Sequence, residues 1–479
     1  MATNNLHKNY IYNVSVQIVS MLTPLITAPY LARVLGETGV GTFSYVQSIA
    51  TYFALFAAMG VNSYGLREVS RVRDDRVKSS RLFWELTVIR IVNTILCSGL
   101  YALFVWLIGG DWLVYLGVGF TILSVGVDCT WFFQAMENFK SLMFRNLTVK
   151  LLSMVLIFAF VRDAGDVALY CAIQTGSVFV SNLVLWPQLR DKVRRIPLRR
   201  LRFIRHIKEV WVYFIPTIAT SVYTVLDKTM IGAITGDMAQ NGFYENAHKI
   251  VNILMTVITS LNVVVGVRTS YLFGKNKEEE VRDHIRGTFR FMYMLAFPMC
   301  AGLVACGYGF ALEFYGANFA EAGTMLMMFA PLLFIIGTSN VLGTLYLTPS
   351  GQRRLSNRAI IIGSATNLLL NILLIPRLGA YGAVVASVTA ELVISSLYLC
   401  FSHHFISAWQ LLGMAARYGG FAAVMFVPIY WMGQVMPVEA YTILSQIAVG
   451  AAIYVTLLIV FKDPAYLAAK EALFKRKSK

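Results

Sequence analysis

Residues 28–49 read APYLARVLGETGVGTFSYVQSI, and residues 224–250 read TVLDKTMIGAITGDMAQNGFYENAHKI. Each stretch carries one apolar run through a short turn into another, and such runs recur along the whole chain of 479 residues. Hydrophobic residues make up 57% and charged residues 14%, whereas soluble domains carry about 25% charged residues. A bilayer-spanning helix needs about 20 apolar residues. The chain is therefore predicted to be an all-α polytopic membrane protein.

The apolar runs predict about fourteen transmembrane helices. Polar residues around Glu313, Asn318 and Glu321 divide the longest apolar region into two spans. The predicted spans are residues 10–35, 38–62, 82–108, 112–136, 141–161, 165–187, 210–234, 242–266, 288–314, 321–348, 358–375, 379–402, 414–435 and 438–461.

The basic residues alternate with these spans. Six lie in 67–81, nine in 190–208 and six in 268–290, and the segments between them on the other side hold almost none. Cytoplasmic loops are the ones enriched in Lys and Arg, so the N- and C-termini are both predicted to be cytoplasmic. The same distribution explains the formal net charge of +16 without a nucleic-acid partner.

The two stretches quoted above predict an internal repeat. Residues 33–36 align with 229–232, and Gly41-x-Phe43 aligns with Gly242-x-Tyr244. Two six-helix lobes, each with an even number of helices, form a parallel pseudo-repeat about an axis along the membrane normal. The predicted domains are an N-terminal lobe at 1–188, a basic linker at 189–209, a C-terminal lobe at 210–402, and helices 13 and 14 with a basic tail at 403–479.

The linker, LRDKVRRIPLRRLRFIRHIKE, resembles an amphipathic basic helix on the inner leaflet. Each Lys or Arg beside anionic lipid contributes about 1 kcal/mol to membrane binding. Tethering and topology are the functions predicted for it, and docking of a cytoplasmic partner is the alternative.

Ionisable residues inside predicted spans are costly to bury and therefore mark cavities or partners. They form two sets. The candidate substrate-path cations are Arg33, Arg90, Lys150, Lys228 and Lys249. The candidate ion- or proton-coupling carboxylates are Asp128, Asp227, Glu245 and Glu391.

Each set has a structural alternative. Arg33 can extend to the outer interface, Asp128 and Lys150 can pair between neighbouring helices, and Glu245 can neutralise Lys249 four residues away. As functional groups, cations at several depths suit an anion such as a diphosphate, which needs replacement of its hydration. Carboxylates can exchange protons or sodium ions. Proton exchange, sodium exchange and membrane potential remain alternative driving forces.

Three segments resemble the bacterial polysaccharide flippases of the MOP exporter superfamily: PYLARVLGETGVGTFSY at 29–45, LDKTMIG at 226–232 followed by GFYENAHKI, and NLLLNILLIPRLGAYGAVVASVTAEL at 367–392. The resemblance covers most of the chain. It implies two lobes, alternating access and export of an undecaprenyl-diphosphate-linked oligosaccharide from the inner to the outer leaflet during O-antigen or other surface polysaccharide synthesis. By the matching motifs, Arg33 and Asp227 carry over as site positions.

The resemblance also implies a bacterium, so the predicted location is its cytoplasmic membrane, in contact with membrane lipids. Coupling to H⁺ or Na⁺ is a hypothesis that rests on the positions of the carboxylates alone. Other polysaccharide assembly proteins are candidate partners. Cofactors and metals are not expected, because the sequence contains no nucleotide or metal motif. Tyr30, Trp131 and Tyr223 are candidates for sugar stacking, with packing as the alternative.

Three rival functions suit this sequence less well. A drug or cation antiporter of the related MATE type favours carboxylates and few cations in its cavity, whereas this chain has five candidate cations. A membrane-bound polysaccharide polymerase or ligase needs catalytic residues in a substantial outer loop, and no outer loop predicted here exceeds about ten residues. A scaffold without transport does not account for charges at several depths.

Overall fold

The computed structural model of the protein describes residues 2–275 and 277–475, and within them it contains helices and no strand. Residue contacts divide the chain into two compact units, Met1–Gly242 and Phe243–Lys479. The helices of the first unit are α1 (Ala2–Ala58), α2 (Val61–Arg71), α3 (Arg76–Ile108), α4 (Trp112–Val127), α5 (Thr130–Ala135), α6 (Phe139–Phe160), α7 (Val167–Leu183) and α8 (Ile204–Thr235).

The next helix, α9 (Met238–Gly274), begins in the first unit and continues into the second. A π-helix at Val341–Leu347 follows α12. The other helices of the second unit are α10 (Glu278–Tyr315), α11 (Ala320–Phe329), α12 (Leu332–Asn340), α13 (Arg353–Leu378), α14 (Ala380–Phe401), α15 (Ala408–Val435), α16 (Ala440–Val460) and α17 (Pro464–Lys475).

Each of the fourteen predicted spans overlaps these helices, but the spans 38–62, 112–136 and 321–348 are divided by helix ends. Among the described residues, nine helices are long and apolar enough to cross a membrane, or ten if the pair Ala317–Phe329 and Leu332–Leu347, bent by 45°, is one span. The prediction of a polytopic all-α membrane protein is confirmed. The number fourteen stays a prediction.

The first turn between spans is shorter than the sequence pattern indicates. Gly36, with φ 69° and ψ −179°, interrupts the helical conformation within α1. This left-handed conformation is accessible to glycine at little cost. The first predicted span and most of the second are therefore two helices that meet at a kink of one residue.

The beginning of α3 is fixed by Asp75, whose carboxylate accepts hydrogen bonds of 3.0 Å from the backbone N–H groups of Val77 and Lys78. An aspartate at this position satisfies donors that the first turn of a helix leaves free. The bond from Lys78 is the main reason that the pKa of Asp75 lies below its ordinary value. The helix thus begins six residues before the predicted span.

The boundary between the two units differs from the domain boundary that the sequence suggested. The contact boundary follows Gly242, whereas the basic linker ends at residue 209. The reason is that α8 packs on α1: the hydroxyls of Ser48 and Thr229 lie 2.8 Å apart, and Gly232 contacts the ring of Tyr45.

The prediction that the linker is an amphipathic helix is wrong for most of its length. Only the part from Ile204 onwards is α-helical, after 3₁₀ turns at Pro187–Leu189 and Leu198–Arg200. Pro197 has no backbone N–H and disfavours a helical residue before it. The backbone of this segment instead bonds to side chains of α3. We call residues 190–206 the basic strap.

Candidate functional site

A buried arginine lies at the break between α4 and α5. Arg90 on α3 is 2% exposed and donates to the backbone carbonyl of Asp128 at 2.6 Å and to its carboxylate at 3.2 Å. A third bond of 2.8 Å runs from Arg90 to Asn62 on α2. The carboxylate of Asp128 also accepts from the N–H of Thr130 at 2.8 Å. Arg90 therefore satisfies a carbonyl that the helix break leaves without a helical partner.

A second buried arginine belongs to the same polar region. Arg145 on α6 donates to Asn182 at 3.2 Å and to Asn146 at 2.6 Å. Asp128 also acts on Arg145 electrostatically. The Nε atoms of both arginines are buried and lack a hydrogen-bond acceptor among the described residues. Two guanidinium groups thus share the field of one carboxylate, which leaves an excess of positive charge suited to an anion.

The pair of Asp128 and Lys150, which was the structural alternative for these two residues, does not form. Asp128 is engaged by Arg90, and the ammonium group of Lys150 on α6 donates to the hydroxyl of Ser20 on α1 at 2.5 Å. A neutral partner leaves the charge of Lys150 uncompensated by this bond. The ammonium group of Lys150 is therefore a candidate anion-binding group at the contact between α1 and α6.

Asp227 and Lys228 have different environments on α8. Asp227 is 5% exposed, and it acts electrostatically on Tyr52 of α1. The neighbouring Thr229 connects the same two helices through Ser48 and Tyr52. Lys228 is half-buried, and its carbonyl accepts a bond of 2.9 Å from Asn241. Of these two adjacent charged residues, Asp227 is thus the more deeply buried.

Two equivalent glycines of the repeat meet in the first unit. A Cβ atom on Gly41 would overlap the carbonyl of Met238, and a Cβ atom on Gly242 would overlap the carbonyl of Glu37. Each glycine therefore faces the residue four positions before the other. We call these four residues the glycine seam. Arg33 lies one turn before the kink that leads into the seam, and its side chain is exposed.

The second unit contains the remaining predicted residues. Glu245 and Lys249 lie 3.7 Å apart on α9 and are 17% and 24% exposed, so they are close enough to neutralise each other. Glu391 is half-buried on α14, one turn after Ser387. Ser387 in turn lies 3.4 Å from the hydroxyl of Tyr244 and 3.5 Å from the amide of Asn367.

The sequence analysis missed Glu85, which is fully buried on α3. Its carboxylate accepts from Arg81 at 3.1 Å, from Arg205 at 2.6 Å and from the N–H of Arg202 at 2.7 Å. It also lies 2.9 Å from His206. The sequence did contain a signal for Glu85, because it is a carboxylate inside an apolar run and an arginine precedes it by one helical turn.

Two candidate sugar-stacking residues have packing roles. Trp131 is 1% exposed within the aromatic core of the first unit, and this burial contradicts a stacking function. The hydroxyl of Tyr30 donates to the carbonyl of Val161 at 2.7 Å. The side chain of Tyr223 lies outside the described residues.

A sequence model of one family, described as polysaccharide biosynthesis protein, matches residues 6–266. The match covers more than half of the chain and includes most of the predicted site residues.

Two curated relatives carry the name "Putative O-antigen transporter". The protein from Shigella dysenteriae is 23% identical over 393 residues, which are 81% of this chain and 97% of that protein. The one from Escherichia coli strain K12 is 24% identical over 418 residues, with coverage of 84% and 98%. A shorter match, 24% identical over 185 residues, joins 39% of this chain to a probable low-salt glycan biosynthesis flippase of Haloferax volcanii.

Solved structures share the fold. The structure of the lipid II flippase MurJ in an inward closed conformation is 14% identical, covers 95% of this chain and 99% of its own, and has a TM-score of 0.75. An inward-facing multidrug resistance MATE family transporter of the MOP superfamily is 12% identical, with coverage of 83% and 98% and a TM-score of 0.58. The chain therefore has the fold of these transporters.

Proposed function

The chain belongs to the family of polysaccharide biosynthesis proteins, and on that premise we propose that it is a flippase, a transporter that moves lipid-linked oligosaccharides across a membrane. The observation that carries the proposal is the match to two O-antigen transporters over 97% and 98% of their lengths. The names of these relatives describe transport and not a covalent reaction, so the chain is a transporter and not an enzyme.

The charges of the candidate site support an anionic substrate. Arg90 and Arg145 are buried around a single carboxylate, and Lys150 bonds to a neutral hydroxyl. A diphosphate that leaves water needs cations of this kind to replace its hydration. A cavity for cationic drugs would instead favour an excess of carboxylates.

The finer proposal is export of an undecaprenyl-diphosphate-linked repeat unit from the inner to the outer leaflet by alternating access. The protein would lie in the bacterial cytoplasmic membrane with both termini in the cytoplasm. The distribution of Lys and Arg supports this orientation. Arg33, Arg90, Lys150, Lys228 and Lys249 would contact the substrate in stages.

We also propose that carboxylates couple transport to H⁺ or Na⁺, and that other polysaccharide assembly proteins receive the exported unit. The candidates for coupling are Asp128, Asp227, Glu245 and Glu391. Asp128 already forms an ion pair with Arg90 in the structure. The half-buried Glu391 is therefore the preferred candidate among them. If it couples transport to protons, Glu391→Gln should make the transport rate insensitive to an imposed pH gradient. A sodium-dependent rate that survives Glu391→Gln would reject this assignment.

The test measures which leaflet holds the finished lipid-linked oligosaccharide in membranes that lack this protein but contain the glycosyltransferases and the lipid carrier. We expect the unit to accumulate on the inner leaflet, and the wild-type chain to restore its appearance outside. Arg33→Ala should slow this at least about tenfold, because a hydrogen bond to a charged group contributes about 1.5–3 kcal/mol.

Arg71→Ala is the matched control, because Arg71 is exposed and pairs with Glu68 on its own helix. The control should restore transport fully. Outward appearance of the unit without any flippase of this family would reject the proposed function. In that case the rival to test is drug efflux, with cells that express this chain and a panel of cationic drugs.

A further inference from the structure

The basic strap is fixed along the first turns of α3 mainly through its backbone. The N–H of Arg194 donates to Ser80 at 2.8 Å, and its carbonyl accepts from Trp84 at 3.0 Å. Farther along, the carbonyl of Arg200 accepts from Arg81 at 2.9 Å. A charged linker would otherwise extend, because its like charges repel each other. These bonds instead hold the segment in one place.

The inward-facing side chains of the strap add to this attachment. Val193 and Leu201 are buried. His206 connects two helices, because its ring lies 2.8 Å from the hydroxyl of Tyr64 on α2 and 2.9 Å from the carboxylate of Glu85 on α3. The strap thus has an inner face that is fixed against α2 and α3. Its outer face consists of the side chains that do not take part in these contacts.

The guanidinium group of Arg205 donates to Glu85 and belongs to this attachment. Five other guanidinium groups of the strap are not used in it. Arg194, Arg195, Arg199, Arg200 and Arg202 are exposed. In the part of the chain that the structure describes, none of the five makes a side-chain hydrogen bond or an ion pair. The fold therefore gathers five like charges that form no ion pair with a carboxylate of the described residues, and an anion from outside the chain would relieve their repulsion.

Apolar side chains lie directly beside these arginines. Phe203 is 36% and Ile204 is 72% exposed, and Ile207 and Trp211 on the next turns of α8 are 37% and 41% exposed. Guanidinium groups next to exposed aliphatic and aromatic side chains suit the boundary between phosphate headgroups and acyl chains. A soluble anion has no acyl chain and would leave these apolar side chains in water.

We propose that the basic strap is a binding site for anionic phospholipid headgroups of the leaflet on the basic side of the membrane. The guanidinium groups bind the headgroup phosphates, and the apolar side chains at the beginning of α8 contact the acyl chains. This site is independent of the transported substrate.

The test uses the full-length protein in detergent, titrated with phosphatidylglycerol and in parallel with phosphatidylcholine, and counts bound lipids by native mass spectrometry. A basic residue near an anionic lipid surface contributes about fivefold to affinity. Replacing Arg195, Arg199 and Arg200 together by Gln should therefore weaken binding of phosphatidylglycerol at least about tenfold. Binding of phosphatidylcholine should not change.

The matched control replaces Arg353, Arg354 and Arg358 by Gln, three exposed basic residues at the beginning of α13, with the same change in net charge. This control should bind phosphatidylglycerol within about twofold of the wild type. A second variant with Lys at positions 195, 199 and 200 keeps the charge and should retain binding. If both Gln variants lose the same affinity for phosphatidylglycerol, the effect comes from net charge alone and the proposal is overturned.

A competition arm separates lipid from other phosphate anions. Inorganic pyrophosphate should not displace phosphatidylglycerol, because it lacks the acyl chains that contact Phe203 and Ile204. Full displacement by pyrophosphate would identify the strap as a site for soluble diphosphates and overturn the lipid assignment. The unfolding temperature of every variant should equal that of the wild type, because the replaced side chains bond to nothing in the described chain.

Discussion

Arg90 bonds to Asp128 twice, once through the backbone carbonyl at 2.6 Å and once through the carboxylate at 3.2 Å. Arg90 therefore neutralises the carboxylate of Asp128 and also satisfies its backbone carbonyl, at the break between α4 and α5. Because Arg90 is 2% exposed, its loss would leave a carbonyl and a carboxylate without their donor in a largely buried place.

Replacing Arg90 by Leu should destabilise the protein by about 3–5 kcal/mol, the usual cost of leaving one partner of a buried ion pair alone. Arg90→Lys should also be destabilising, because an ammonium group cannot reproduce the planar fork that reaches three acceptors. Thermal unfolding in detergent provides the measurement. Arg71→Leu, at an exposed ion pair, is the control and should change little; equal losses would disprove a special role for Arg90.

The glycine seam predicts a different kind of defect. Gly41→Ala and Gly242→Ala should each force α1 and the beginning of α9 apart, because the added methyl group meets a backbone carbonyl that cannot turn away. We expect a lower unfolding temperature, together with greater labelling of cysteines introduced at Thr38 or Gln240 beside the seam.

Gly99→Ala is the matched control for the seam, since Gly99 lies in α3 with open space around its Cα. Alanine favours a helix over glycine by about 1 kcal/mol, so this change should be neutral or stabilising. If all three alanine variants behave alike, the close approach of the two glycines has no consequence and the prediction fails.

The apolar pattern of the sequence predicted the helices well, because lipid leaves the backbone few alternatives. The internal repeat stays a prediction, although the two glycines that it aligns, Gly41 and Gly242, lie close together in the structure. Lateral pairing could not be predicted: Asp128 bonds to Arg90 and not to Lys150, since spacing along the chain does not specify which helices are neighbours. The conformation of the strap was also mispredicted, because side chains of α3 determine it.

Glu85 should control whether the basic strap remains attached. Its carboxylate accepts from Arg81, Arg202 and Arg205 and lies beside His206. Glu85→Ala leaves these donors unsatisfied and should expose the strap to trypsin, with faster cleavage between residues 190 and 205. Glu85→Gln retains the shape and should have a smaller effect. Glu68→Ala, which breaks a pair on α2, should leave the cleavage pattern unchanged; if it accelerates cleavage equally, Glu85 does not fix the strap.

The ion pair on α9 allows a test by charge exchange. Glu245 and Lys249 are partly buried and 3.7 Å apart, so Glu245→Lys or Lys249→Glu alone places two like charges one turn apart. Each single variant should lower stability, and the double exchange should recover most of the loss if the two residues only neutralise each other. If stability recovers while transport does not, the orientation of the charges serves the substrate. The exposed pair Lys277 and Glu280 is the control. The same exchanges there should change neither stability nor transport.

The short terminal helix α17 depends on Asp463, which is fully buried. Both of its oxygens lie 3.1 Å from the hydroxyl of Tyr418 on α15, and one accepts from the N–H of Ala465 at 2.9 Å. Arg417 adds an ion pair of 3.3 Å. The sequence analysis predicted only a basic tail here, because a single carboxylate after a long apolar run carries no signal about its partners.

Asp463→Ala removes a helix cap and leaves the buried hydroxyl of Tyr418 without its acceptor, so the expected loss is about 2–4 kcal/mol. The detached α17 should then be cut by trypsin at Lys470 before the rest of the chain unfolds. Glu439→Ala is the control, because Glu439 precedes α16 in the same way but its side chain makes no capping bond. A stability equal to that of the wild type in Asp463→Ala would mean that α17 is held by other contacts.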